Sequence, residues 1–146
     1  MGPGGREASL GYLVSDTLRL MRRDFARRAV GLKLTPALAR LLFQVDRAPG
    51  ARQADLAGRL EVTPVTLGRM LDRLVARGYV TRVADAGDRR AQRVYLAPPG
   101  EALMGQLELV RRETEARATA GLEADAITAL CALLRRVQAN LIDGET

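Results

Sequence analysis

The chain has no histidine, no tryptophan and one cysteine in 146 residues, and aromatic residues make up only 3% of it. Without histidine it lacks the commonest general base, the commonest metal ligand and the side chain whose charge changes near neutral pH. One cysteine, Cys131, cannot close a disulfide within the chain and leaves zinc and other transition metals poorly supplied. Neither a glycine-rich phosphate loop nor a Gly-x-Ser-x-Gly elbow occurs. No stretch approaches the roughly 18 apolar residues of a membrane span. Met1-Gly2-Pro3-Gly4-Gly5-Arg6 runs into an amphipathic segment rather than an apolar core, so no signal peptide is read there. The same start lacks the Ser or Thr that a myristoylation signal wants. These absences lead to the expectation of a cytoplasmic protein with no metal, no cofactor and no catalytic activity.

What the chain has is positive charge, almost all of it arginine. Lys33 is the only lysine, and the net charge is +6. Residues 50–95 hold nine arginines against five acids, and residues 1–34 hold seven basic side chains against three. Residues 96–146 reverse the balance, with five arginines against eight acids. Such asymmetry suits a molecule that turns one region toward phosphates.

The most informative stretch is Gln53 to Gly78, QADLAGRLEVTPVTLGRMLDRLVARG. Its spacing predicts a helix over Gln53–Leu60, with Leu56, Ala57 and Leu60 on one edge. Glu61 and Val62 break it. Thr63 then supplies an N-cap oxygen, and Pro64 stands at the first helical position, where a missing N–H costs nothing. Gly78 closes the second helix. Together these form a helix-turn-helix. On the second helix Leu67, Met70, Leu71 and Leu74 face inward, while Val65, Thr66, Arg69, Asp72, Arg73 and Ala76 face out. An exposed face with Thr, Val and Arg near its N-terminal end suits a major groove, where Arg pairs with guanine and methyl groups meet thymine. A merely solvated helix face is the plain alternative.

Residues 79–83 then read as a strand, 84–91 as a polar glycine-containing loop and 93–96 as a returning strand. A hairpin with Arg89 and Arg90 at its tip, directly after a helix-turn-helix, makes a winged helix whose tip can reach phosphates or a minor groove. The flanks are helical. Residues 9–30 carry the stripe Leu10, Val14, Leu18, Met21 and Phe25, with Gly31 as terminator. Thr35-Pro36 opens a helix to about residue 45, with Leu38, Leu41, Leu42 and Val45 inward. Pro98-Pro99-Gly100 marks the start of a long helix through residue 118. Residues 123–142 form the last, whose Ile127, Leu130, Leu134, Val137 and Leu141 make a heptad seam. One helical domain over 1–146 is expected, mainly α with a small β-hairpin wing. Residues 34–97 are the expected reader, and the helices of 8–32 and 100–143 either pack on each other within one subunit or, as two DNA half-sites would call for, join two copies across a two-fold axis.

This order of features resembles the MarR family of bacterial winged-helix transcriptional regulators. The resemblance rests on Leu34-Thr35, Asp55-Leu56-Ala57, Val62-Thr63-x-x-Thr66-Leu67, Asp72-Arg73-Leu74 with Arg77-Gly78, Asp88-Arg89-Arg90, and Leu96 with Gly100. Ala97 stands where the family's usual Thr would follow that Leu. The resemblance implies a homodimeric DNA-binding repressor of a pseudo-palindromic operator, released by a small aromatic or phenolic effector. The expected DNA contacts are Arg52, Gln53, Thr63, Pro64, Val65, Thr66, Arg69, Arg73, Arg89 and Arg90, with Arg69 leading as a base contact. The resemblance further implies that Asp72 steadies the wing through Arg89 or Arg90, while Asp88 fixes the shape of the wing loop. Tyr12, Arg19, Phe25, Leu38 and Phe43 are the candidate effector-pocket residues. Cys131 reads as a buried structural thiol. Two other functions stay open: a protein-interaction winged helix and a cysteine-based redox-responsive regulator.

Overall fold

The computed structural model describes residues 9–142, so the expectations about residues 1–6, and the outer ends of the two dimerisation stretches at 8 and 143, lie outside the described residues. Hydroxyl side chains cap three helices, and α2 and α4 begin where their Thr-Pro signals direct. Ser9 caps α1 (Leu10–Arg28) by accepting from the Tyr12 N–H at 3.2 Å. Thr35 does the same for α2 (Pro36–Arg47) through the Leu38 N–H at 3.2 Å. Each oxygen satisfies one of the N–H groups that a helix start leaves without a partner. After α2 come β1 (Ala51–Arg52), α3 (Gln53–Leu60) and α4 (Pro64–Ala76). Thr63 caps α4 by accepting from the Thr66 N–H at 3.1 Å, with Pro64 at the first position. The wing follows as β2 (Val80–Ala84) and β3 (Gln92–Leu96), and then α5 (Pro98–Ala118) and α6 (Ala124–Ile142). No helix among the described residues is long and apolar enough to cross a membrane.

The core belongs to the central elements. Leu38, Leu41, Leu42 and Val45 of α2, Leu56 and Ala57 of α3, and Leu67, Leu71 and Leu74 of α4 form one buried cluster with Val80, Val94, Leu103, Met104 and Leu107. Apolar stripes at helical spacing on α2, α3 and α4 converge there because each must remove its face from water. The sheet runs in the order β1-β3-β2, entirely antiparallel, with Val80 opposite Leu96 and Ala84 opposite Gln92.

The outer helices behave differently. The only buried residue within α1 is Asp24, and α6 buries none. Leu10, Val14 and Leu18 of the expected α1 stripe are exposed, whereas Met21 and Phe25 are half-buried against the rest. On α6, Ile127, Leu134 and Val137 are half-buried, but Leu133 is 66% and Leu141 70% exposed. So many exposed large apolar side chains on two helices leave both with faces that nothing in this subunit covers.

Several elements depart from the sequence reading. Strand β1 was not expected: two residues are too few to show alternation, and it forms because β3 offers the backbone partners. Helix α1 stops at Arg28, and Gly31 is not its terminator. A 3-10 turn at Val30–Leu32 follows, and Lys33 takes the left-handed conformation at φ 54°. The Lys33 carbonyl accepts from Arg77 Nη1 at 2.8 Å, a tertiary bond that helps hold the strained residue. Cys131 is exposed rather than buried, since α6 has no neighbour in this subunit to cover it.

Candidate nucleic-acid interface

Helix α4 presents the expected face. Thr63, Pro64, Val65, Thr66, Arg69 and Arg73 are all exposed, while Leu67, Leu71 and Leu74 on the other side are in the core. The capping geometry also sets the donors. Thr63 Oγ1 accepts from the Thr66 N–H and donates to Thr66 Oγ1 at 2.9 Å. The Thr63 proton is thus committed inward, and the Thr66 hydroxyl is the one free to donate outward. Arg69 and Arg73 have no carboxylate partner among the described residues, which leaves both guanidiniums available for an acceptor from outside.

The wing is fixed from within. Asp88 Oδ1 accepts from the Arg90 backbone N–H at 2.9 Å, and the Asp88 carbonyl accepts from Ala91 at 3.0 Å. Both bonds lie within the wing loop itself. Arg89 and Arg90 are exposed beyond it. Asp72 does not pair with either of them. Its Oδ1 accepts instead from Arg82 Nη1 at 2.6 Å, and Arg82 Nη2 donates to the Gly68 carbonyl at 2.9 Å. Arg82 lies on β2 with its side chain reaching α4 at both of these contacts. The wing is therefore tied to the recognition helix at its stem, and the tip arginines remain free.

Arg52 and Gln53 lie where β1 meets α3. Arg52 Nε donates to Asp85 Oδ2 at 2.8 Å, and Arg93 Nη2 approaches the same oxygen at 3.1 Å. Asp85 Oδ1 accepts from the Gly87 N–H at 2.9 Å. That backbone bond, aided by the two guanidiniums, holds the Asp85 carboxyl below its ordinary range despite its burial. Gln53 is half-buried, and its Oε1 is enclosed without a hydrogen-bond partner among the described residues. A phosphate contact through that oxygen is not available, as an acceptor could not bind phosphate in any case.

A second feature lies between α1, α2 and α5, a cleft of about 560 Å³. Met21, Phe25, Phe43 and Arg111 line it, and the two Phe rings meet edge to face at 6.0 Å. Of the expected pocket residues only Phe25 and Phe43 are there. Tyr12 and Arg19 sit exposed toward the start of α1, with Arg19 paired to Asp16 at 2.7 Å. Leu38 is in the core because it shares the inward stripe of Leu41 and Leu42. Arg111 was not anticipated. Its guanidinium is held by Glu108 and Glu115, and it draws the Glu108 carboxyl down to about 2. Such a residue is invisible in a helix rich in i, i+3 and i, i+4 charge pairs.

Beside this cleft, Asp24 joins α1 to α5. It is 9% exposed, and its carboxylate accepts from Arg28, Arg27, Arg117 and the Thr114 hydroxyl, with Arg28 at 2.7 Å. The Arg28 bond is the main reason its carboxyl lies well below the usual carboxylate range.

Comparison with known proteins agrees with this architecture. A family model described as the MarR family matches residues 32–91. Apo wild-type MarR from E. coli is 31% identical, with a TM-score of 0.79 over 88% of this chain and 96% of that one. A mutant MarR from E. coli complexed with operator DNA is 29% identical, with a TM-score of 0.76 over 94% and 99%. The transcriptional repressor CouR, bound to a 23-mer DNA duplex, is 27% identical, with a TM-score of 0.79 over 94% and 98%. A helix-turn-helix joined to an arginine-tipped wing, in a chain of this likeness, belongs to the MarR family of winged-helix transcriptional regulators.

Proposed function

We propose that this regulator is a homodimeric repressor that reads a pseudo-palindromic operator and is released by a small aromatic or phenolic effector. The observation that carries the DNA reading is the exposed row Val65, Thr66, Arg69 and Arg73 on α4, whose two arginines have no carboxylate partner among the described residues. Arg89 and Arg90 extend the same basic character along the wing. Two similar proteins have structures with DNA, one with operator DNA and one with a 23-mer duplex.

In this reading residues 34–97 read DNA, and 8–32 with 100–143 form the dimer. The uncovered apolar faces of α1 and α6 support a second copy as their partner. A dimer places two α4 helices in successive major grooves, with half-sites about 10 bp apart. Arg69 is assigned to a base edge, Arg73 to the groove margin, and the wing arginines to phosphate or minor groove. The effector is assigned to the α1–α2–α5 cleft, whose aromatic pair suits a flat ring and whose Arg22, Arg40 and Arg47, unlike the Glu-paired Arg111, have no carboxylate partner among the described residues.

The test is a fluorescence-anisotropy titration at several salt concentrations, using duplex from the promoter beside the gene and a scrambled duplex. Tight, salt-sensitive binding to the native duplex with two chains per site is expected. Equal weak binding to both duplexes would remove operator specificity from the proposal, and no binding would favour a protein-interaction module.

A further inference from the structure

An arginine that meets a DNA phosphate needs a partner within the protein to aim it. Arg52 and Arg93 stand directly opposite one another on β1 and β3. Two like charges in that relation repel, and neither would hold a defined position alone. Between them lies Asp85, whose side chain is only 5% exposed. One of its oxygens, Oδ2, faces both guanidiniums, at 2.8 Å from Arg52 Nε and 3.1 Å from Arg93 Nη2. The other is occupied by the Gly87 N–H at 2.9 Å. Both carboxylate oxygens are therefore engaged, and the wing's own backbone fixes one of them.

The two arginines differ in what remains. Arg93 is turned inward at both ends, with Nη1 donating to the Gly50 carbonyl at 2.8 Å and Nη2 on Asp85. Arg52 uses only Nε, and its terminal nitrogens make no hydrogen bond among the described residues. Its side chain is 43% exposed, and the residue stands at the N-cap position of α3 without a side-chain capping bond, at the start of the helix that crosses the DNA backbone in a helix-turn-helix. A guanidinium held at Nε keeps a planar pair of N–H donors pointing away from its anchor, which matches two phosphate oxygens.

We infer that Asp85 is a positioning residue for DNA binding, a buried wing carboxylate that holds Arg52 so that its free guanidinium edge meets a backbone phosphate. This rests on the DNA reading of the interface. It carries an unusual sign. Removing a negative charge beside a polyanion should strengthen binding if only net charge matters, whereas loss of aim should weaken it.

The experiment compares the unaltered chain with Asp85→Asn, Arg52→Gln, their double variant and Arg52→Lys, by anisotropy titration on operator and scrambled duplex across a salt series. Circular dichroism on every sample establishes the folded fraction. Asp85→Asn should bind both duplexes roughly ten-fold more weakly at moderate salt, with the slope of log affinity against log salt reduced by about 1. Arg52→Gln should do the same, and the double variant should lose no more than either alone. Arg52→Lys should fail to restore binding, because one ammonium cannot hold Asp85 and a phosphate in the same forked geometry. Unchanged or tighter binding by Asp85→Asn would overturn the inference, as would an equal further loss in the Arg52→Gln background. If Asp85→Asn does not fold, wild-type affinity and slope for Arg52→Lys would overturn it by themselves. An unaltered chain that binds no DNA would overturn the parent reading and this one with it.

Discussion

Gly100 offers the sharpest test of how α5 is seated. A Cβ built at this buried position would lie 2.0 Å from the Tyr79 carbonyl oxygen and 2.9 Å from its carbon. Ordinary contact begins at 3.4 Å, so Gly100→Ala forces the two segments apart by about 1.4 Å. Neither segment can easily yield. Tyr79 is held by its N–H donating to the Leu74 carbonyl at 2.9 Å, and its own carbonyl accepts from the Ala97 N–H at 2.9 Å. Displacing α5 breaks that second bond and disturbs Leu103, Met104 and Leu107, which α5 contributes to the core. Overpacking costs about 1–3 kcal/mol, and the lost hydrogen bond about 1 kcal/mol. Alanine's better helix propensity returns about 1 kcal/mol. The net is about 2 kcal/mol, a fall in Tm of roughly 4–8 °C for a chain of this size. The assay is thermal unfolding by circular dichroism at fixed protein concentration, because association would shift Tm. Gly58→Ala is the control, at an exposed site of α3 where a Cβ meets nothing within 4 Å. It should leave Tm unchanged or raise it. A Gly100→Ala protein melting at or above the wild-type temperature would refute the close approach.

Three further predictions concern binding, assembly and acid. Arg69→Ala should cost about 1–3 kcal/mol on operator and little on scrambled duplex; equal losses on both would mean that Arg69 meets only phosphate. Leu134→Glu on α6 should give a monomer in sedimentation and lower operator affinity while the winged helix stays folded, and a dimeric sedimentation coefficient would refute the assignment of that face. The Asp24 carboxyl is depressed well below its ordinary 3.8, chiefly by Arg28, and the Glu108 carboxyl is lowered from 4.5 to about 2, chiefly by Arg111. A depressed folded-state pKa stabilises above the unfolded value and loses that contribution as pH falls through the folded one. Stability should hold from pH 7 to about 5, then fall from about 4.5 downward, the Glu108 contribution fading to about pH 2 and that of Asp24 to lower pH still. Asp24→Asn should lower Tm at neutral pH and make this acid-side decline shallower, and an unchanged decline would show that Asp24 contributes nothing to it.

The helix-turn-helix and its exposed face were legible because local rules set them. Thr63 and Pro64 open α4, Gly78 at φ 77° follows its end, and the 3.6-residue spacing of Leu67, Leu71 and Leu74 leaves Val65, Thr66 and Arg69 on the far side. The same holds for α2 and α5, and for the tip position of Arg89 and Arg90. Pairing between distant residues was not legible. Asp72 was assigned to the tip arginines, yet it meets Arg82, because which of several arginines reaches a carboxylate depends on strand register and helix packing. Strand β1 exists only because β3 is beside it, and the aim of Arg52 depends on Asp85, 33 positions away.

Sequence by itself thus determined this protein's helices, its wing and the reading face of α4, since caps, breaks and apolar periodicity act within a few residues. Tertiary structure alone decided that Gly100 must lack a side chain, that Asp24 gathers three arginines, and that Asp85 stands between Arg52 and Arg93. Each of those depends on a distance between segments far apart in the chain, and close packing sets such distances only once the whole core has formed.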